Sequence, residues 1–227
     1  MSFVQRIATL AVALVLGACA TAADVMRERV EKIPEADRAY IIGAFAVECV
    51  PDGADCGQTF NQISLHYRGV GNDMWGLMHS TQGGMFGSNT VYDFTRPEAK
   101  EKGFYFCDGL PAGSWMFDSF AFYNFANGGS GYSMKDEAKF NLPFTVKPGE
   151  VVYLGKLKVT LTHGKNVFHM DVTAPGDLVL SSDPEHEIAA AMAKCPANVQ
   201  NRTVRSNVLK AEMAQGHRLV HDANGTP

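Results

Sequence analysis

Between Tyr40 and Leu180 apolar and polar residues alternate with period two, the pattern of strands with one buried face. Ile63, Leu65 and Tyr67 alternate with Ser64, His66 and Arg68, and Phe140, Leu142, Phe144 and Val146 alternate with Asn141, Pro143, Thr145 and Lys147. Val151, Tyr153, Leu157, Val159 and Leu161 share a face opposite Lys156, Lys158, Thr160 and Thr162; Phe168, Met170 and Val172 alternate with His169 and Asp171. Further strands are predicted over 41–49, 90–94, 104–107, 115–125 and 178–180. Pro111-Ala112-Gly113, Asn127-Gly128-Gly129, Pro148-Gly149 and Pro175-Gly176 supply the turns. Short strands with such punctuation and no helix between them predict a mainly β domain over 39–181. The expected form is an antiparallel β-sandwich; a barrel is the other closure this spacing permits. Within 115–125, simple alternation puts Trp115, Phe117, Ala121, Tyr123 and Phe125 on one face and Met116, Phe120 and Phe122 on the other. Both faces are apolar, which predicts a central or doubly covered strand.

The pattern changes at both ends. Ser182-Asp183-Pro184 reads as a cap and first-turn proline, Glu185 and Glu187 suit a helix start, and Ile188 and Met192 lie four apart. One C-terminal α-helix, ended by Pro196 and packed on the sandwich, is predicted within 182–227. A second, weaker helix is predicted through Val204, Val208 and Met213, followed by a loose tail. Residues 26–32 favour helix until Pro34, in a stretch (19–38) read as a spacer. Ahead of it, Ile7 through Leu16 are apolar apart from Thr9, and Arg6 is the single charge before residue 19. Ten helical residues span about 15 Å, half a bilayer core, so residues 1–18 are expected to be a signal segment and not a membrane span.

Composition narrows the class. The 227 residues carry 20 Lys+Arg against 24 Asp+Glu, and 46% are apolar. That is globular, and no Lys/Arg cluster could neutralise a run of phosphates, so no nucleic-acid partner is expected. Without residues 1–18 the balance is 19 − 24 = −5. Four cysteines besides Cys19 permit three pairings. Pro51-Asp52-Gly53 would turn the chain between Cys49 and Cys56, which favours that pair and leaves Cys107–Cys195 to tie the C-terminal helix down.

Leu16-Gly17-Ala18-Cys19 resembles the lipobox of bacterial lipoproteins. The resemblance implies removal of residues 1–18, acylation of Cys19, and a membrane partner reached through a lipid anchor that several acyl chains make permanent. Ala20 in place of Asp implies the outer membrane. Leu110-Pro111-Ala112-Gly113-Ser114-Trp115 and the stretch from Phe144 to Gly155 resemble a group of bacterial lipoproteins with a transthyretin-like (prealbumin-like) β-sandwich, akin to carboxypeptidase regulatory domains. These motifs cover 104–160, and they imply a fold without an activity.

Enzyme patterns are incomplete. Gly128-Gly129-Ser130-Gly131-Tyr132 lacks the last glycine of a nucleophile elbow, His186-Glu187 lacks a second histidine four positions on, and Gly69-Val70-Gly71 lacks the third glycine of a dinucleotide loop. Met74, Trp75, Met78 and His79, with Met85 beyond, gather thioether, indole and imidazole groups suited to Cu(I). If extended, the segment splits them, with Met74 and Met78 on one face and Trp75 and His79 on the other. His163, His169 and Asp171 form a second candidate metal set. The function expected is an outer-membrane-anchored, non-enzymatic binding or scaffolding module with an envelope protein partner and no cofactor. Open strand edges and the loops 69–90 and 126–136 would be its docking sites. A periplasmic copper-binding protein is the alternative, and an envelope hydrolase the weaker one.

Overall fold

The computed structural model describes residues 22–52, 55–57, 62–81, 90–124, 132–135, 140–165, 169 and 171–223. Cys19, the signal segment, Met85, residues 82–89 and 125–131 lie outside them. The chain is mainly β. Helix α1 (Ala22–Glu31) precedes β1 (Ala39–Glu48), the short β2 (Val50–Asp52) and β3 (Asp55–Gly57), β4 (Gln62–Gly69) and β5 (Trp75–His79). Then come β6 (Phe94–Arg96), β7 (Glu101–Leu110), β8 (Gly113–Asn124), β9 (Tyr132–Lys135), β10 (Leu142–Val146), β11 (Val151–Lys165) and β12 (Asp171–Ser181). Helix α2 (Pro184–Met192), β13 (Val204–Ser206) and β14 (Val220–Asp222) complete the chain.

A seven-stranded sheet runs β14-β12-β11-β1-β7-β6, with β13 beside the start of β11. A five-stranded sheet runs β10-β8-β4-β5, with β9 beside β8. Strand β1 lies at the centre of the first sheet and is buried almost throughout. On one face Ile41, Phe45 and Val47 join Leu65, Trp115, Phe117 and Phe144 of the second sheet in one core. On the other, Tyr40 and Ile42 pack with Val151, Tyr153, Ala191, Met192 and Val199 beneath α2. Cover on both faces explains the unbroken apolar run Tyr40-Ile41-Ile42.

The pairing corrects the expectation of an all-antiparallel arrangement. The second sheet is antiparallel, but β1 pairs with β11 in parallel, as do β11 with β13 and β12 with β14. A parallel pair needs a long crossover, and here the whole second sheet lies in the chain between β1 and β11. At Gly43 a side chain would meet the Gly155 carbonyl oxygen at 2.3 Å, so glycine lets β11 kink past β1 at the register shift between Ile42 and Ala44.

A second shift changes the face assignment in β8. His66 pairs with Ser119 and Tyr67 with Phe117, leaving Asp118 as the extra residue of a β-bulge. The bulge brings Trp115, Phe117, Phe120 and Phe122 onto the core face together, instead of dividing them as simple alternation predicts. β8 is central, between β10 and β4, as expected.

Helix α2 begins and ends close to its predicted limits. Glu187, expected to serve the helix start, is 1% exposed and accepts a hydrogen bond from Tyr153 Oη at 2.5 Å. The stretch predicted as a second helix instead forms β13 and a 3-10 turn at Ala211–Ala214, and the expected loose tail contains β14 paired with β12. Backbone groups there find partners on existing strands, which outweighs a weak helical period. Both disulfides join as the turn residues suggested, Cys49–Cys56 and Cys107–Cys195, each with a Cα separation of 5.2 Å.

The two bridges close loops of very different length, 7 and 88 residues. Urea unfolding should therefore show a loss of about 4–5 kcal/mol for Cys107→Ser/Cys195→Ser and about 2 kcal/mol for Cys49→Ser/Cys56→Ser. Equal losses would contradict the loop-length argument.

Candidate functional site

Strand β5 is extended, so it divides the soft-donor set. Met78 is buried in the core and Met74 packs against it, whereas Trp75 and His79 are exposed on the opposite face. The four side chains are not gathered around one point. Their outward members belong instead to a polar network across β5, β4 and β8. His66 Nδ1 donates to Asp118 Oδ1 at 2.5 Å, Arg68 Nε donates to Asp118 Oδ2 at 3.0 Å, and Ser119 Oγ donates to Oδ1 at 2.9 Å. Trp75 lies 5.5 Å from the His66 ring. Burial would push the Asp118 carboxyl up, but the hydrogen bonds from His66, Ser119 and Arg68 outweigh it and hold it below the usual range. Ser64 Oγ bonds His79 Nδ1 at 2.7 Å, so Ser64, His66 and Asp118 do not form a serine–histidine–aspartate relay. The bulge that aims Asp118 at His66 and Arg68 was not legible from alternation; the one sign of it is a polar Asp118-Ser119 pair within an aromatic strand.

The second candidate metal set is dispersed as well. β11 continues to Lys165, because its pairing with β12 extends to Lys165↔Asp171. His169 adopts a left-handed conformation (φ 58°) before β12 begins, so it does not share a strand face with Asp171. His163 Nδ1 lies 3.4 Å from Thr173 Oγ1. Among the described residues, no group of three or more His, Cys, Asp or Glu is placed to hold a metal ion.

A concavity lies elsewhere, on the flank where α1 bridges β5 and β7. It encloses about 620 Å³, and Met26, Val30, Tyr40, Tyr67, Leu77 and Asp108 are among its walls, beside the Cys107–Cys195 bridge. Met26 and Val30 are buried, so part of the stretch expected as a spacer packs as a helix on the domain. Glycine permits two close approaches. A side chain at Gly109 would meet Val30 Cγ1 at 3.0 Å, and one at Gly76 would meet the Tyr67 hydroxyl at 2.4 Å. Arg29 of α1 is held to Asp73, just before β5, at 3.1 Å.

Two strand edges face this cavity. β6 pairs only with residues 101–103 of β7, and Tyr105 N, next on that side, donates to Asp93 Oδ2. The alternation of an antiparallel ladder then turns the backbone of Cys107 and Gly109 outward, with no partner strand among the described residues. On the other side Gly69 N donates to Met74 O and Ser80 N to Ile63 O. The backbone of Leu77 therefore faces away from β4.

Tyr67 and Asp108, like the Tyr40 hydroxyl, line the cavity without a hydrogen-bond partner among the described residues. Tyr67 is 5% exposed and stands edge-on to Trp115 and Phe117. Burial, and after it the Asp108 charge, push its phenol well above the usual value. Asp108 follows Phe106 and precedes Leu110 on the core side of β7, opposite Ile41. Burial pushes its carboxyl up to about 6. The other charged groups of the lining are engaged. Arg27 pairs with Glu31, Lys194 with Asp93, and Arg38 donates to the Ile33 and Glu31 carbonyl oxygens. A perturbed carboxyl in a largely apolar cavity is the usual mark of a binding site. Its sequence signal was an acid at an apolar-face position in the alternation Phe106, Asp108, Leu110.

No protein-family description and no curated protein matches the chain. Among solved structures, a leucine-rich repeat protein from Bacteroides thetaiotaomicron superposes with a TM-score of 0.31 and 8% identity. The match covers 56% of this chain and 14% of that one. A likeness at that level carries no argument about fold or function.

Asp108 has a measurable signature. Its folded-state pKa lies above the ordinary carboxylate value, so its contribution to stability is complete at low pH and is lost as the pH rises through about 6. Asp108→Asn should therefore be more stable than wild type at pH 7.5, by at most about 3 kcal/mol, with the gap closing toward pH 4. Urea unfolding across that range checks it, and a gap independent of pH would contradict the assignment.

Proposed function

We propose that this chain is an outer-membrane-anchored lipoprotein that serves the cell envelope as a non-enzymatic binding or scaffolding module. In this reading Cys19 carries the lipid, the two sheets form a β-sandwich of the transthyretin-like kind, and the flank beneath α1 receives an envelope partner. The lipobox-like Leu16-Gly17-Ala18-Cys19 and the two disulfides support the compartment. The observation that carries the binding reading is the flank itself. Among the described residues, the backbone of Leu77, Cys107 and Gly109 is unpaired beside a cavity whose Asp108 and Tyr67 have no hydrogen-bond partner. An extended segment of another protein adds readily to such an edge, with a side chain entering the pocket beside it. Helix α1 starts three residues after Cys19, so in this reading the flank is close in the chain to the lipid anchor.

Cellular photo-crosslinking tests the reading. A photoreactive residue at Leu77 should give one defined adduct with an envelope protein, and the same residue at Thr145, on the opposite edge strand β10, should not. Cys19→Ser should move the protein from the membrane to the soluble periplasmic fraction and weaken the adduct. Indiscriminate adducts at both positions would overturn the assignment of the flank.

A further inference from the structure

We infer that the flank cavity binds a primary alkylammonium group, with Asp108 as its counter-ion. The inference rests on the flank reading above and gives that site its chemistry.

Charge complementarity points to this occupant. Arg27, Glu31, Arg38 and Lys194 are the other charged side chains of the lining, and each is engaged by an ion pair or by backbone carbonyl oxygens. Asp108 is the charged group of the lining that no described residue answers. A half-buried carboxylate is costly to desolvate further unless it is paired, and a ligand ammonium supplies both the missing charge and hydrogen-bond donors. Tyr67 adds a hydroxyl that can accept from the same group. The remaining walls, Met26, Val30, Tyr40, Leu77 and the disulfide, suit a methylene stem. An anion would meet Asp108 without a free cation to offset it. One carboxylate and one phenol are also too few donors for a calcium or zinc ion.

The same chemistry has two sources, a lysine side chain of a partner segment or a free alkylamine, and the probes separate them. Titration calorimetry on the full-length chain in nonionic detergent would compare n-butylammonium, n-butanol and butyrate. It would also compare the blocked peptides acetyl-Ala-Lys-Ala-amide and acetyl-Ala-Ala-Ala-amide. Butylammonium is expected to bind, butanol and butyrate are not, and Asp108→Asn should lower the affinity at least tenfold at pH 7.5. Wild-type affinity should fall about tenfold from pH 7 to pH 5, following the ionised fraction of Asp108. The titratable and charged groups around it are Arg27 and Glu31 of α1, Arg38, Tyr40, Tyr67 and Lys194, and the Asp108→Asn variant separates its titration from theirs. Binding of the lysyl peptide identifies a partner side chain, and binding of butylammonium alone identifies a free amine. Equal binding of butanol, full affinity in Asp108→Asn, or no binding of either amine would overturn the inference. If the adduct at Leu77 persists in that case, the flank reading stands without it; if the adduct is also absent, both fail.

Discussion

The burial of β1 on both faces is the constraint on which the rest of the molecule depends. Ile41, Phe45 and Val47 on one side and Tyr40 and Ile42 on the other need apolar cover. One sheet face cannot supply both. The second sheet covers the first set, and α2 with the segment around Val199 covers the second. The Cys107–Cys195 bridge holds that second layer to β7, the strand next to β1. The parallel β1–β11 pair follows from the same arrangement, because the chain leaves β1 at its C-terminal end, builds the second sheet, and re-enters beside the start of β1.

The bulge at Asp118 shows how one extra residue divides the labour of a strand. It turns four large aromatic side chains of β8 inward and leaves a carboxylate for His66, Arg68 and Ser119 on the other face. Every oxygen of that carboxylate is engaged, so the network reads as a structural brace. Asp108 is the contrast: it also sits beside an apolar interior, yet its carboxyl finds a cavity where Asp118 finds partners. Asp118, buried with both oxygens engaged, marks the brace, and Asp108, half-buried with no partner among the described residues, marks the candidate site.

Where the sheets end also matters. β6 is short and β5 is the edge among the described residues, so there the seven- and five-stranded sheets both end with backbone unpaired on the same flank. Helix α1 spans the gap without filling it, because Gly109 allows Val30 close to β7 while Gly76 accommodates Tyr67 across β5. The cavity is what remains between a helix and two strand edges that cannot pair with it.

Much of this was determined by local sequence. Period-two alternation gave the strands, Pro and Gly gave their turns, Asp183-Pro184 gave the start of α2, and the turn residues after Cys49 selected the disulfide pairing. Each depends on residues a few positions apart, whose conformational preferences act before any tertiary contact forms. The tertiary structure decided the rest. Strand sense between β1 and β11, separated by the whole second sheet, has no local determinant. The bulge at Asp118 arises from cross-strand register, and β13 and β14 formed where the helical period was too weak to hold the chain against free strand neighbours. The alternation Phe106, Asp108, Leu110 carries an acid on an apolar face, although the strand predicted there ended at residue 107. That the Asp108 carboxyl would meet a cavity and no partner depended on three separate elements, α1, β5 and β7, converging on one flank.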